Sequence, residues 1–79
     1  MAEWPPMPKL PRISSRKLIV VLNKLGFYLS KSKGSHNKFR NPDGRTTTIP
    51  VHTGDLPLGT LSAILKDIDL SVEELIDLL

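Results

Sequence analysis

Apolar residues recur at Leu18, Leu22 and Leu25, the three- and four-residue spacing of one helical face, while Arg16, Lys17 and Lys24 fall on the other side. Ser14 or Ser15 can cap the first amides of this helix, and Gly26 supplies the stop. The period then shortens. Phe27-Tyr28-Leu29-Ser30 is rich in β-formers and predicts a strand, Lys31 to Gly34 a basic turn, and Ser35 to Arg40 a second strand. Asn41-Pro42-Asp43-Gly44 is a strong turn signal that leads into a third strand over Arg45 to Val51, making a hairpin. Pro50 assigns that strand's end to a sheet edge. Helical spacing returns at Leu61, Ile64, Leu65 and Ile68, behind a cap expected at Thr60. Ser71 and Glu74 then have the spacing of a capping box, opening a short last helix with Leu75, Leu78 and Leu79.

The order α-β-β-β-α predicts an α+β fold: a two-layer sandwich with a three-stranded antiparallel sheet, helices on one face, and a short extra C-terminal helix. Residues 1–12 carry Pro5, Pro6, Pro8 and Pro11 around Trp4 and Met7, a spacing that forbids helix and predicts an extended arm. Residues 13–79 then form a single domain. Alternation along the second strand puts Ser35, Asn37 and Phe39 on one face and His36, Lys38 and Arg40 on the other. Because Phe39 belongs in the core, His36 is expected to point outward beside two cations, a reading that a one-residue slip in register would reverse.

Length and composition narrow the chemistry. Seventy-nine residues make one small domain, and a chain of this size buries only about 60% of its unfolded surface, so a catalytic site has to lie on an open face. With no cysteine and two histidines, disulfides, thiol nucleophiles, Cys-based zinc sites and histidine-only zinc sites are excluded; no metal and no cofactor are expected. The longest apolar run, Leu18 to Leu22, is too short for a membrane span, and the chain reads as cytoplasmic. The net charge of +3 hides an asymmetry. Ten Lys or Arg against two carboxylates give +8 up to Arg45, whereas one lysine against six carboxylates gives −5 from Thr46 onward. A polyanion-facing part and an acidic part follow from this split, although a solvated basic surface would look the same on charge alone.

Four stretches add a family resemblance. They are Pro8-Lys9-Leu10-Pro11-Arg12-Ile13-Ser14; Leu25-Gly26-Phe27; Lys33-Gly34-Ser35-His36 running on to Phe39-Arg40-Asn41-Pro42-Asp43-Gly44-Arg45; and Pro50-Val51-His52 with Gly59-Thr60-Leu61 and Ile64-Leu65-Lys66. In order and spacing they resemble the HicA family of toxin ribonucleases, mRNA interferases of toxin–antitoxin pairs whose fold is similar to a double-stranded-RNA-binding domain (dsRBD-like). The resemblance implies an RNA substrate, a HicB-type antitoxin as partner, and catalysis by the histidine of the Gly-Ser-His motif, here His36. Two positions depart from the family pattern: Asn37 stands where many members have a second histidine, and Ser62 where arginine is common.

The residue chemistry is consistent with that role. Histidine is the side chain suited to removing a 2′-OH proton near neutral pH, so that the oxygen attacks the adjacent phosphorus without a metal. Lys31, Lys33, Lys38 and Arg40 are the candidates for gripping the phosphate backbone; Gly34 either lets the backbone approach substrate or takes a turn conformation closed to other residues, and Ser35 beside it counts among the RNA-binding residues. His52 is expected to serve a loop hydrogen bond rather than catalysis, and Tyr28 to pack. The competing readings are a noncatalytic RNA-binding module of dsRBD-like fold and a protein-docking domain that presents its basic face to an acidic partner.

Overall fold

The computed structural model describes residues 9–79, so most of the proline-rich arm, residues 1–8, lies outside the described residues. Helix α1 spans Ser15–Lys24 and is capped by Ser14, whose side chain accepts from the Lys17 amide at 3.2 Å. Strands β1 (Tyr28–Lys33), β2 (His36–Arg40) and β3 (Thr46–Pro50) form one antiparallel sheet in the order β1-β2-β3, followed by α2 (Leu58–Asp67) and α3 (Val72–Leu78). The α+β order and the edge position of β3 are as expected. Residues 9–13 have no regular secondary structure, yet Leu10 and Ile13 pack against the core.

One layer of core joins the sheet to the helices. Leu18, Val21 and Leu22 of α1 and Leu61, Ile64 and Leu65 of α2 are buried with Phe27, Phe39, Ile49, Ile68 and Leu75. All the described sheet side chains in this layer come from one face, leaving the opposite face to solvent.

Both longer helices end in the same way. In α1 the Phe27 amide bonds the Leu22 carbonyl at 2.9 Å and the Gly26 amide that of Asn23 at 3.1 Å, with Gly26 at φ +90°. In α2 the Leu70 amide reaches the Leu65 carbonyl at 3.0 Å and the Asp69 amide that of Lys66 at 3.2 Å. These are Schellman motifs, which need a left-handed residue just past the helix. Asp69 fills that position at φ 54°, the one non-glycine residue with positive φ among the described residues.

The β2–β3 turn ties the layers together. Asn41 is buried, donates Nδ2 to the Leu25 carbonyl at the end of α1 (3.0 Å), and accepts from the Asp43 amide at 3.1 Å. Arg45 bonds Asp43 through Nε (2.8 Å), donates to the Ile68 carbonyl that ends α2, and lies over the Phe27 ring at 5.1 Å. One turn thereby satisfies the C-terminal carbonyls of both helices.

Element boundaries differ from the sequence expectation at α2 and β1, and by one residue at the start of β2 and at both ends of β3. Helix α2 begins at Leu58 with Pro57 as its cap residue, ahead of the expected Thr60 cap. Proline's fixed φ, here −55°, suits a helix entrance, and the Leu61 amide bonds the Pro57 carbonyl at 2.9 Å, drawing Gly59 and Thr60 into the first turn. β1 starts after Phe27 and runs through Lys33, so the expected turn at Lys31–Gly34 shrinks to Gly34 and Ser35. β1 is exposed along its whole length, because no helix lies over this edge. In α3 the capping box is formed in both directions, between Ser71 and Glu74, and Leu75 is buried, but Leu79 is exposed.

Candidate active site

The β1–β2 hairpin builds the open face. Gly34 takes φ +58°, a left-handed conformation disfavoured for other residues, at the first position of a two-residue turn. Across the strands, Lys33 pairs with His36, Lys31 with Lys38, and Tyr28 with Arg40; on the other side His36 pairs with Pro50, Lys38 with Thr48, and Arg40 with Thr46. Cross-strand partners share a face, about 4.5–5.5 Å apart at Cβ. Since Phe39 is buried, the face carrying His36, Lys38 and Arg40 is the solvent side, and all three are exposed.

An irregularity brings the two lysines of β1 onto that face. Between Leu29, paired with Phe39, and Lys31, paired with Lys38, the register shifts, leaving Ser30 as an extra residue. Without this bulge, strict alternation from Tyr28 would put Lys31 and Lys33 on the opposite face from Tyr28. With it, Tyr28, Lys31 and Lys33 join His36, Lys38 and Arg40. The Ser32 hydroxyl correspondingly meets Asn37 Oδ1 on the inner side at 2.7 Å.

At the end of the hairpin, the Val51 amide donates to the Ser35 carbonyl at 2.7 Å. That bond flanks the His36–Pro50 pair, making it a non-hydrogen-bonded pair, in which the side chains lie closer and an N–H at position 50 would point away from β2. Proline therefore removes no ladder bond and gives His36 a rigid neighbour. Ser35 itself is half-buried, its carbonyl engaged in this bond.

The electrostatics of the face are unusual for a folding surface. Lys31 stands directly opposite Lys38, an arrangement that destabilises a strand pair. Among the described residues the sole salt bridge joins Arg45 to Asp43, so Lys31, Lys33, Lys38 and Arg40 have no carboxylate partner. Arg45 belongs to the basic half of the sequence but is engaged in holding the helices.

The remaining candidates sort differently. Tyr28 is 49% exposed, on the open face beside Arg40, rather than packed as the sequence suggested; its register with Arg40 depends on tertiary pairing that composition does not reveal. His52 lies in the loop after β3, on the rim of a groove formed with Ser14, Ser15, Arg16, Val51, Thr53 and Gly54. Lys66 is exposed near the end of α2, and Ser62 is half-buried. Among the described residues, no group of three or more His, Asp or Glu side chains could hold a metal ion, and no helix is long and apolar enough to cross a membrane.

A small α+β domain with one packed and one cationic sheet face is thus defined. The family model described as HicA toxin of bacterial toxin-antitoxin matches residues 15–70, from the first turn of α1 to the motif that ends α2, with the whole sheet between. The chain belongs to the HicA toxin family and is a toxin of a toxin–antitoxin system. A comparison with curated proteins found no match.

Proposed function

We propose that this toxin is an mRNA interferase in which His36 is the general base. The observation that carries the reading is the register of the open face: one exposed histidine, with Lys33 beside it and the Lys31–Lys38 pair on the next rung. RNA laid across this face puts a phosphate among cations that lack carboxylate partners. His36 takes the proton of the neighbouring 2′-OH; the oxygen attacks phosphorus, the P–O5′ bond breaks and the 5′-oxygen takes a proton from solvent, to which His36 returns its own, giving a 2′,3′-cyclic phosphate and a 5′-hydroxyl end. Lys31, Lys33, Lys38 and Arg40 offset the charge that develops on the phosphorane. Gly34 and Ser35, in the turn before His36, let the RNA backbone come close, and the 2′-OH requirement restricts the reaction to RNA.

A duplex-binding module is less well supported. Such modules read shape across the minor groove and would need cations where a helix meets phosphates. Helix α2 starts Leu58-Gly59-Thr60 and carries its one basic residue, Lys66, in its last turn. The protein partner fits the catalytic reading: a HicB-type antitoxin would silence the toxin by covering the open face, in the cytoplasm where mRNA is met.

Expression of wild type and His36→Ala in cells, with purified protein assayed on single-stranded RNA, is the test. The substitution should lower cleavage by about 10²- to 10⁴-fold, the usual contribution of general base catalysis, and abolish growth arrest. Chelator should change nothing. Equal cleavage by both proteins, or stable duplex binding without cleavage, would refute the assignment.

A further inference from the structure

The groove beside His52 combines features that no part of the mechanism uses. It has a volume of about 380 Å³ and is walled by Ser14, Ser15 and Arg16 at the start of α1 and by Val51 to Gly54 from the loop after β3. Helix α1 is ten residues long and has no acidic residue in its first turn, so its positive end is not offset from within. Ser15 is 2% exposed, and its Oγ is the one buried side-chain polar atom with no hydrogen-bond partner among the described residues. A hydroxyl enclosed in that way is costly unless something completes it. Arg16, His52 and Thr53, all exposed, add a cation, an imidazole and a hydroxyl on the same rim. Asp55, bridged to Ser14 through the backbone, is the nearby carboxylate; it is exposed and does not line the groove.

We infer that this groove is a phosphate subsite, built from the N-terminus of α1, the Ser15 hydroxyl and the Arg16 guanidinium, with His52 and Thr53 at its mouth. Helix N-termini bind oxyanions; in α1 the Lys17 amide is already capped by Ser14, which leaves the Arg16 amide, and a phosphate oxygen supplies the acceptor that Ser15 Oγ lacks. The groove adjoins the open face. Val51, on its wall, is bonded to Ser35, and His52 is two residues beyond Pro50, the cross-strand partner of His36. His36 and the groove thus lie at the same end of β3, so an RNA strand held at His36 has a path into the groove. The occupant is therefore an RNA backbone phosphate next to the one at His36, an assignment that rests on the mRNA interferase reading.

Two arms separate the subsite from that reading. In the first, inorganic phosphate is titrated into the whole chain while the amide resonances of Ser15, Arg16 and Thr53 are followed by NMR. Saturable shifts at these amides are expected. They should weaken about tenfold in Arg16→Ala, the loss of one charge-assisted hydrogen bond. Ser15→Ala should also weaken them, while leaving the thermal midpoint no lower than in wild type, because the hydroxyl it removes has no partner in the free protein. Absence of saturable shifts, or shifts unaffected by both substitutions, overturns the subsite whether or not the protein cleaves RNA. In the second arm, RNA affinity is measured in the His36→Ala background, where substrate stays intact. Arg16→Ala should weaken RNA about tenfold as well. Phosphate binding without any effect of Arg16→Ala on RNA would overturn the backbone assignment and leave a site for free phosphate alone.

Discussion

On the proposed reading the open face makes opposite demands on RNA binding and on folding, and substitution of Lys31 and Lys38 separates them. Each cation that neutralises a phosphate of single-stranded RNA releases counterions and contributes about −0.7 to the slope of log affinity against log salt, so the four sheet cations together give about −2.8. A fifth contact at Arg16 would carry this to about −3.5. The double variant Lys31→Ala/Lys38→Ala should lose about 1.4 of the slope in either case, so a rise from 50 to 200 mM salt costs it about sevenfold less affinity than its parent. Fluorescence anisotropy of a labelled single-stranded RNA, in the His36→Ala background, measures this directly. Lys66→Ala, on α2 away from the sheet face, should leave the slope unchanged. Because Lys31 and Lys38 are directly opposed across β1 and β2, either single alanine should also stabilise the fold by about 0.2–1 kcal/mol, the usual scale of a like-charge cross-strand pair. A slope unaltered in the double variant, or lowered as much by Lys66→Ala, would refute the reasoning. So would a single variant that binds RNA more weakly only because it has become less stable.

Three further outcomes concern the fold that holds the face in place. Asn41→Ala removes the bonds to the Leu25 carbonyl and the Asp43 amide; with the half-buried Leu25 carbonyl left unpaired, the cost should be about 1–3 kcal/mol, lowering the thermal midpoint by about 5–20 °C for a domain of this size. Asp69→Gly should raise stability by about 1 kcal/mol in denaturant titration, since glycine accepts the left-handed position that ends α2 and removes a carboxylate from the negative end of the helix. The Asp43 carboxyl is held below its ordinary range chiefly by the Arg45 amide and also by the Arg45 guanidinium, and Glu74 by the Ser71 amide and hydroxyl. A depressed carboxyl contributes stability above its unfolded-state value and loses it as pH falls through its folded value. Thermal midpoints should therefore decline below about pH 4, and less steeply in Asp43→Asn/Glu74→Gln than in wild type.

How much of this was legible in the sequence differs from one element to the next. Helix α1, with its serine cap and Gly26 stop, and the capping box of α3 are local devices, and each lies where side-chain spacing put it. The facing of β2 was legible because Phe39 leaves one choice of buried side. The position of Lys31 and Lys33 was not, since it depends on the bulge at Ser30, and nothing in Leu29-Ser30-Lys31 distinguishes a bulge from regular strand. The end of α2 was similarly hidden: a glycine signals a Schellman motif, whereas Asp69 adopts the same conformation without one. Thr60 misled because a good cap residue was outcompeted by the backbone that Pro57 sets. The groove at Ser15 could not be anticipated at all, because its walls come from α1 and the loop after β3, far apart in sequence.

The Gly-Ser-His motif and its continuation to Arg45 contain two kinds of residue that a sequence comparison cannot tell apart. Gly34 shapes the turn, Phe39 anchors the core, and Asn41, Asp43 and Arg45 tie the turn to both helices. His36, Lys38 and Arg40 make none of these contacts and face solvent. Substitution anywhere in the stretch can therefore abolish toxicity, but by two routes with different signatures. If the proposed ribonuclease reading holds, loss of Asn41 or Arg45 should lower thermal stability and RNA cleavage together. Loss of Lys38 relieves the repulsion from Lys31, so cleavage falls while stability holds or rises. A surface expected to be more stable without its own residues is one whose composition is set by something other than folding, and the opposed Lys31 and Lys38 beside His36 fit that description.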